Sequence, residues 1–355
     1  MSTQEILLQR TGRLGHIVLN RPKAINALND SMITAATAAL REWAEDDAVE
    51  TVLISGAGER GLCAGGDIVA IYRHMKDGGD EIFWEDEYRM NSLISRYPKP
   101  IVAFMDGVVL GGGIGISAHA SHRVVTERTK IGMPETRIGF IPDVGGCFLY
   151  SRAPGELGTH LALTAGTGTG ADAIALGLAD YFVDSAELPA LAAALAEVPA
   201  KEALAAFSHT DVPASELMKE RDWIDECYAH DDAEQILAAL RNSPEPAARA
   251  AAEEIAAKSP TAVKLTLEAL RRAGTMQTLE EVLDQDYRLG VRLVSAPDFA
   301  EGVRAQVIDK DRNPTWKPAT LAEVDRATVE SYFADLGDAE LGLAASVQAE
   351  PAAGN

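Results

Sequence analysis

Cysteine is scarce in this chain. Its three copies in 355 residues, Cys63, Cys147 and Cys227, are odd in number and far apart. They draw neither a disulfide framework nor a CxxC metal pair, and each reads as a small buried hydrophobe. Positive charge is short as well: 32 Lys and Arg against 54 Asp and Glu leave a formal net charge of −22. Such a surface repels phosphate backbones and anionic headgroups, so neither nucleic acid nor a membrane is expected as a partner. No apolar run reaches the roughly 18 residues of a membrane span. The first fifteen residues hold neither an apolar signal core nor an arginine-rich amphipathic pattern, so a reducing, cytoplasmic setting is expected. The chain also lacks a G-x-S-x-G elbow, an HExxH pair and a Walker A loop. His119 and His122 share a candidate helix, but no further ligands complete a metal site, and none is expected.

What is present suffices for a core: hydrophobic residues make up 47% and charged residues 24%. The length suits one large domain with an extension, or two domains. His16–Leu19, Thr51–Ser55 and Ile101–Met105 are short apolar, largely β-branched runs that predict buried strands. Ser31–Ala44, Asp67–Met75 and Ile82–Tyr97 predict helices, the first capped by Asp30 or Ser31. Strand, glycine loop and helix alternate, which is an α/β pattern. From Ala186 onward alanine dominates and helical spacing takes over. Ser259 and Pro260 start a helix through Arg272, and Thr278–Val294 is another. The last 15 residues read as a frayed tail. The expected division is 1–195 for the α/β core, 196–258 for a helical insertion and 259–355 for C-terminal helices and an extended tail.

Four segments are candidates for chemistry. Gly56–Gly61 matches G-x-G-x-x-G after a strand, but Gly65 and Gly66 follow where a dinucleotide fold needs a helix, so it reads as a surface loop. In Leu62–Ile68, small residues let a ligand approach the backbone, and Asp67 can cap the next helix. In Leu110–Ser117, glycines Gly111, Gly112 and Gly113 open a helix and expose N–H donors at its positive end. Two such turns after separate strands suit an oxyanion hole. In Met133–Gly146, Glu135 and Asp143 stand eight residues apart in an apolar, Pro- and Gly-rich stretch, where burial raises carboxyl pKa values and suits acid–base or nucleophilic work. The acidic cluster Glu85-Asp86-Glu87 reads as a solvated face that holds at most one functional member.

Together these segments resemble the crotonase, or enoyl-CoA hydratase/isomerase, superfamily. The resemblance is carried by LNRPKAINAL (19–28), GLCAGGDI (61–68), KPIVAFMDGVVLGGGIGIS (99–117) and MPETRIGFIPDVGG (133–146). It runs through residues 5–185 and resumes at 259–299. Within the superfamily the chain is more similar to the acyl-CoA thioester hydrolases than to the hydratases. Hydratases place a second catalytic glutamate at the position of Gly115, whereas Asp143 and the segment 309–318 are hydrolase-like. The resemblance implies a crotonase-type spiral of ββα units with a C-terminal helical region, and often a trimer or hexamer.

It also implies roles. The N–H groups of Gly66 and Gly112 would bind the thioester oxygen, Glu135 would be the central carboxylate and Asp143 would lie beside it. Glu87 would line the acyl pocket and Ala64 would lie near the CoA adenine, with Gly65, Asp67 and Gly111 the other substrate-side members of the glycine segments. Glu135 either attacks the carbonyl or activates a water; the sequence leaves both open. Acyl-CoA is the expected small-molecule partner, CoA being part of the substrate, and no further cofactor is expected. Arg21, Lys23 and Arg60 are candidate cations for CoA. Competing readings are an enoyl-CoA hydratase or isomerase and a non-catalytic CoA-binding protein.

Overall fold

The computed structural model describes residues 4–76 and 82–349. The chain divides into two compact units, each assembled from separate stretches. The first takes Met1–Ala70, Leu93–Met133 and Thr167–Glu220, and the second takes Ile71–Ser92, Pro134–Gly166 and Arg221–Asn355.

Every strand among the described residues lies in the first unit. They are β1 (Ile6–Thr11), β2 (Leu14–Leu19), β3 (Thr51–Gly56), β4 (Ile101–Met105), β5 (Val108–Leu110), β6 (His122–Val125), β7 (Lys130–Gly132), β8 (Thr167–Thr169) and β9 (Tyr181–Phe182). A six-stranded sheet runs β1-β2-β3-β4-β6-β9, and a three-stranded sheet runs β5-β7-β8. β1 pairs antiparallel with β2, and every later neighbour in the large sheet is parallel. β4 is buried at all five positions and β3 at its first four, which is why both read as unbroken apolar runs. β1 escapes the sequence reading because it is an edge strand, exposed from Leu8 to Thr11 and carrying Gln9 and Arg10. The helix Asp30–Glu45 buries Met32, Ile33, Ala36, Ala39, Leu40 and Trp43 along one stripe. Its cap is Asn29, one residue before the expected Asp30 and two before Ser31; the Asn29 side chain accepts from the Met32 N–H at 3.1 Å. His122 lies on β6 rather than on a helix with His119, because the glycine-opened helix ends at Ser117.

The regular elements of the second unit are all helices among its described residues. The helix Pro260–Ala273 starts as expected, with the Ser259 hydroxyl accepting from Ala262 N–H. The helix Leu279–Leu293 is closed by a reciprocal Thr278–Glu281 capping box. The tail departs from expectation. Residues 350–355 lie outside the described residues, but Leu341 and Leu343 are buried, and Asp284 accepts hydrogen bonds from the N–H groups of Leu343 and Ala344 at 2.8 and 3.0 Å. A helix, Leu343–Ala349, is thereby docked where a frayed end was expected. No helix among the described residues is long and apolar enough to cross a membrane.

Candidate active site

In the first unit the two glycine segments lie side by side. Cys63 N–H donates to Val108 O, and Leu110 N–H donates to Cys63 O, so the 61–68 segment runs along β5. Gly65 has φ +105, and a Cβ there would stand 3.4 Å from Leu110 O and 3.6 Å from Gly112 N. A Cβ on Gly113 would come within 2.5 Å of Cys63 O, so only glycine permits this approach. Neighbouring N–H groups are taken: Gly111 donates to Gly132 O, Ala64 to Ile25 O and Asp67 to Leu28 O. Those of Gly66 and Gly112 meet no acceptor among the described residues. Gly112 is the first residue of its helix, where an N–H has no intrahelical partner.

Asp67 is the expected cap: its Oδ1 accepts from Ala70 N–H at 3.1 Å, and its Oδ2 accepts from Arg21 Nη2 at 2.7 Å. Arg21 is thereby committed to the scaffold, since it also donates to Ala27 O and pairs with Glu5. Lys23 and Arg60 are exposed. A residue that the sequence reading passed over ties these loops together. Buried Asn26 accepts from Arg21 N–H and donates from Nδ2 to Ala57 O and Gly61 O. Asp184, Glu187 and His209 are close enough together to share a cation, but all three are exposed.

The second unit holds the acids. Glu135 opens a short 3-10 turn, Glu135–Ile138, and is 8% exposed. That turn is tightly packed, because a Cβ on Gly302 would meet Ile138 backbone at 2.5 Å. Asp143 is 6% exposed, and its Oδ2 accepts from the Tyr88 hydroxyl at 2.7 Å. Of the acidic cluster only Glu87 is buried, at 2% exposure; Glu85 pairs with Arg89 and Asp86 faces solvent. Burial, then the Asp143 charge, then Glu87 push the Glu135 carboxyl well above the carboxylate range. Burial lifts Asp143 to about 6 against the Tyr88 hydrogen bond, which favours its anion. Because the Asp143 charge acts on Glu135, the two buried carboxyls titrate as a pair. Trp84 stacks on Phe140 at 5.8 Å, and Phe140 meets Phe299 at 5.7 Å, so aromatic rings supply part of the apolar packing in this unit.

Tyr88 and Asp286 are functional candidates that the sequence reading missed. Tyr88 carries no motif. Asp286 left one signal: it is a carboxylate at the spacing of Leu279, Val282, Leu283, Leu289 and Leu293, on the buried side of its helix.

Backbone N–H donors among glycine turns, and buried paired carboxyls, are the equipment of acyl-transfer and enolate chemistry. The model of the enoyl-CoA hydratase/isomerase family matches residues 14–333, and the chain belongs to that family, with the crotonase fold. The 3-hydroxyisobutyryl-CoA hydrolase, mitochondrial, of Rattus norvegicus is 40% identical over 351 residues, covering 96% of this chain and 91% of its own. Two crystal structures share the fold closely. A carnitinyl-CoA dehydratase from Mycobacterium thermoresistibile is 50% identical with a TM-score of 0.92, covering 96% of this chain and 98% of its own. An enoyl-CoA hydratase from Rhodobacter sphaeroides is 41% identical with a TM-score of 0.90, covering 95% of this chain and 99% of its own.

Proposed function

We propose that this chain hydrolyses the thioester of 3-hydroxyisobutyryl-CoA, giving 3-hydroxyisobutyrate and CoA. The observation that carries the reading is the buried pair of carboxyls Glu135 and Asp143, with Tyr88 bonded to Asp143. The curated hydrolases at about 39% identity over 96% of the chain support it. The names of the two crystal structures favour hydration instead. Against hydration, the helix Gly112–Ser117 reads GGIGIS and carries no carboxylate, so Gly115 leaves the hydratase glutamate without a counterpart.

In the proposed reaction a nucleophile adds to the thioester carbonyl, and negative charge builds on its oxygen. The N–H groups of Gly66 and Gly112 are assigned to that oxygen, where one such donor is worth about 100- to 1,000-fold in rate. Glu135 reacts as its anion: it attacks the carbonyl carbon to give a mixed anhydride, or it takes a proton from an attacking water. At rest burial keeps the pair's proton on Glu135 and leaves Asp143 the anion, so either step begins with transfer of that proton from Glu135 to Asp143. Asp143 then protonates the departing CoA thiolate, and the second half-reaction returns a proton to it. Glu87 is assigned to the acyl pocket. Ala64, Gly65, Asp67 and Gly111 are assigned to the CoA side, with Lys23 and Arg60 as its cations. CoA enters as part of the substrate, and the scheme calls on no other cofactor. None of the three cysteines forms a disulfide, which suits the cytoplasmic setting we propose.

The test is purified protein with 3-hydroxyisobutyryl-CoA, followed by free thiol, beside crotonyl-CoA followed by absorbance. Thiol release that drops about 1,000-fold or more in Glu135→Gln, with no crotonyl hydration, is the expected result. Crotonyl hydration without thiol release overturns the hydrolase reading.

A further inference from the structure

Asp286 is the odd member of an apolar helix face. It is completely buried in the helix Leu279–Leu293, among residues whose spacing calls for hydrocarbon. Its Oδ2 accepts a hydrogen bond from Gly145 N–H at 2.9 Å, while its Oδ1 has no hydrogen-bond partner among the described residues. Gly145 belongs to the turn that carries Asp143. In that turn Gly146 N–H donates to Asp143 O at 2.6 Å, and Val144 sits at φ 49. A β-branched residue in the left-handed region is strained, and such strain persists only where surrounding groups hold the chain. One turn along the same helix, Gly290 leaves room for the Asp143 partner: a Cβ there would stand 3.4 Å from Phe140 Cζ and 3.7 Å from the Tyr88 hydroxyl. One face of one helix thus meets both the turn and the phenol that fix Asp143.

We infer that Asp286 is a positioning residue: through the Gly145 N–H its carboxyl holds the strained Asp143–Gly146 turn, and with it the Asp143 carboxyl, in place for thioester cleavage. The inference rests on the hydrolase reading. Burial first, and the charge of Asp143 second, raise Asp286 well above the carboxylate range. Tyr88 and Cys147 are the other titratable groups that sense it. The neutral acid is therefore the form that holds the turn at neutral pH, and it adds no second charge beside Asp143.

The test uses two variants of the full chain. Asp286→Asn keeps an acceptor oxygen for Gly145 N–H and is neutral. Asp286→Leu suits the apolar face but offers no acceptor. The readouts are kcat and KM for 3-hydroxyisobutyryl-CoA, the acidic limb of the kcat profile, and amide exchange of residues 142–150. Asp286→Leu is expected to lower kcat by about 10- to 100-fold with KM little changed, and to speed exchange in the turn. Asp286→Asn is expected to keep kcat within about threefold, with the acidic limb unmoved. Full kcat in Asp286→Leu overturns the inference. So does a limb displaced to lower pH in Asp286→Asn together with unchanged turn exchange in Asp286→Leu, which would mean that Asp286 acts on Asp143 through its charge and not through the turn. If Asp286→Leu does not fold, the rate, limb and exchange of Asp286→Asn decide. If the wild-type protein releases no thiol, the hydrolase reading fails by itself, and exchange still judges the inference: an unchanged turn in Asp286→Leu sinks it.

Discussion

The two units offer chemistry of opposite kinds. The first contributes backbone: two glycine segments beside β5, whose Gly66 and Gly112 N–H groups meet no acceptor among the described residues. The second contributes side chains: Glu135, Asp143, Glu87, Tyr88 and Asp286, all buried, with Glu135, Asp143, Tyr88 and Asp286 titrating far from their ordinary ranges. A backbone donor carries no proton to gain or lose across the working pH range. A buried carboxyl is set by its surroundings and titrates. Changes in the first unit are therefore expected to alter rate at every pH alike. Changes in the second are expected to alter how rate and stability depend on pH.

The sharpest test of that contrast is Gly113→Ala. The added methyl would lie 2.5 Å from Cys63 O and 3.1 Å from Cys63 Cβ, so one of the glycine segments must move. Displacing a donor is expected to lower kcat for thioester cleavage by about 100- to 1,000-fold. The acidic limb of the pH profile is expected to stay where it is, because no titrating group of the second unit has changed. A limb that moves together with the rate would break the division between backbone and carboxyl roles.

How much of this the sequence discloses follows from where each partner lies. β3 and β4 are legible because strands buried on both faces are apolar at every position. The helix Pro260–Ala273 is legible because its cap and its first-turn proline are adjacent in the chain. Glu135 and Asp143 stand out as carboxylates in an apolar segment, and family resemblance adds their roles. Gly65 and Gly113 are visible as glycines, but their closeness is set by β5 and appears only in three dimensions. Tyr88 and Asp286 are silent for the same reason: Tyr88 bonds a residue 55 positions away, and Asp286 bonds one 141 positions away. Likewise, no local signal shows that each unit is assembled from separate stretches of chain.

On the carboxyl side, Asp143→Asn sharpens the comparison through stability. Folding lifts this carboxyl from its ordinary 3.8 to about 6. The native state thus keeps a proton that the unfolded chain releases, so stability falls as pH rises through that window. The penalty is absent below pH 3.8 and complete above about 6, where it amounts to about 3 kcal/mol. Asparagine carries no such penalty and still accepts from the Tyr88 hydroxyl. Asp143→Asn is therefore expected to melt several degrees above the wild type at pH 7 to 8 and level with it near pH 4, while thiol release is lost. A melting advantage that is the same at both pH values would mean that the gain comes from packing and not from the buried charge.

The smallest expected effect concerns a carboxylate of the second unit that serves structure alone. Asp284 lies two residues before Asp286 on the same helix, but its carboxyl accepts from Leu343 and Ala344 N–H and so caps the helix Leu343–Ala349. Both helix-opening N–H groups lose their acceptor in Asp284→Ala. The loss is expected to be about 1 kcal/mol and local, since Leu341 and Leu343 are the buried anchors of this segment. Amide exchange over residues 341–349 should quicken, and a protease of broad specificity such as subtilisin should trim this end sooner. Both kcat and its pH profile should match the wild type. A loss of kcat as large as that expected for Asp286→Leu would show that the two carboxylates act together, and would remove the distinction between a residue that holds the catalytic turn and one that only fastens the chain.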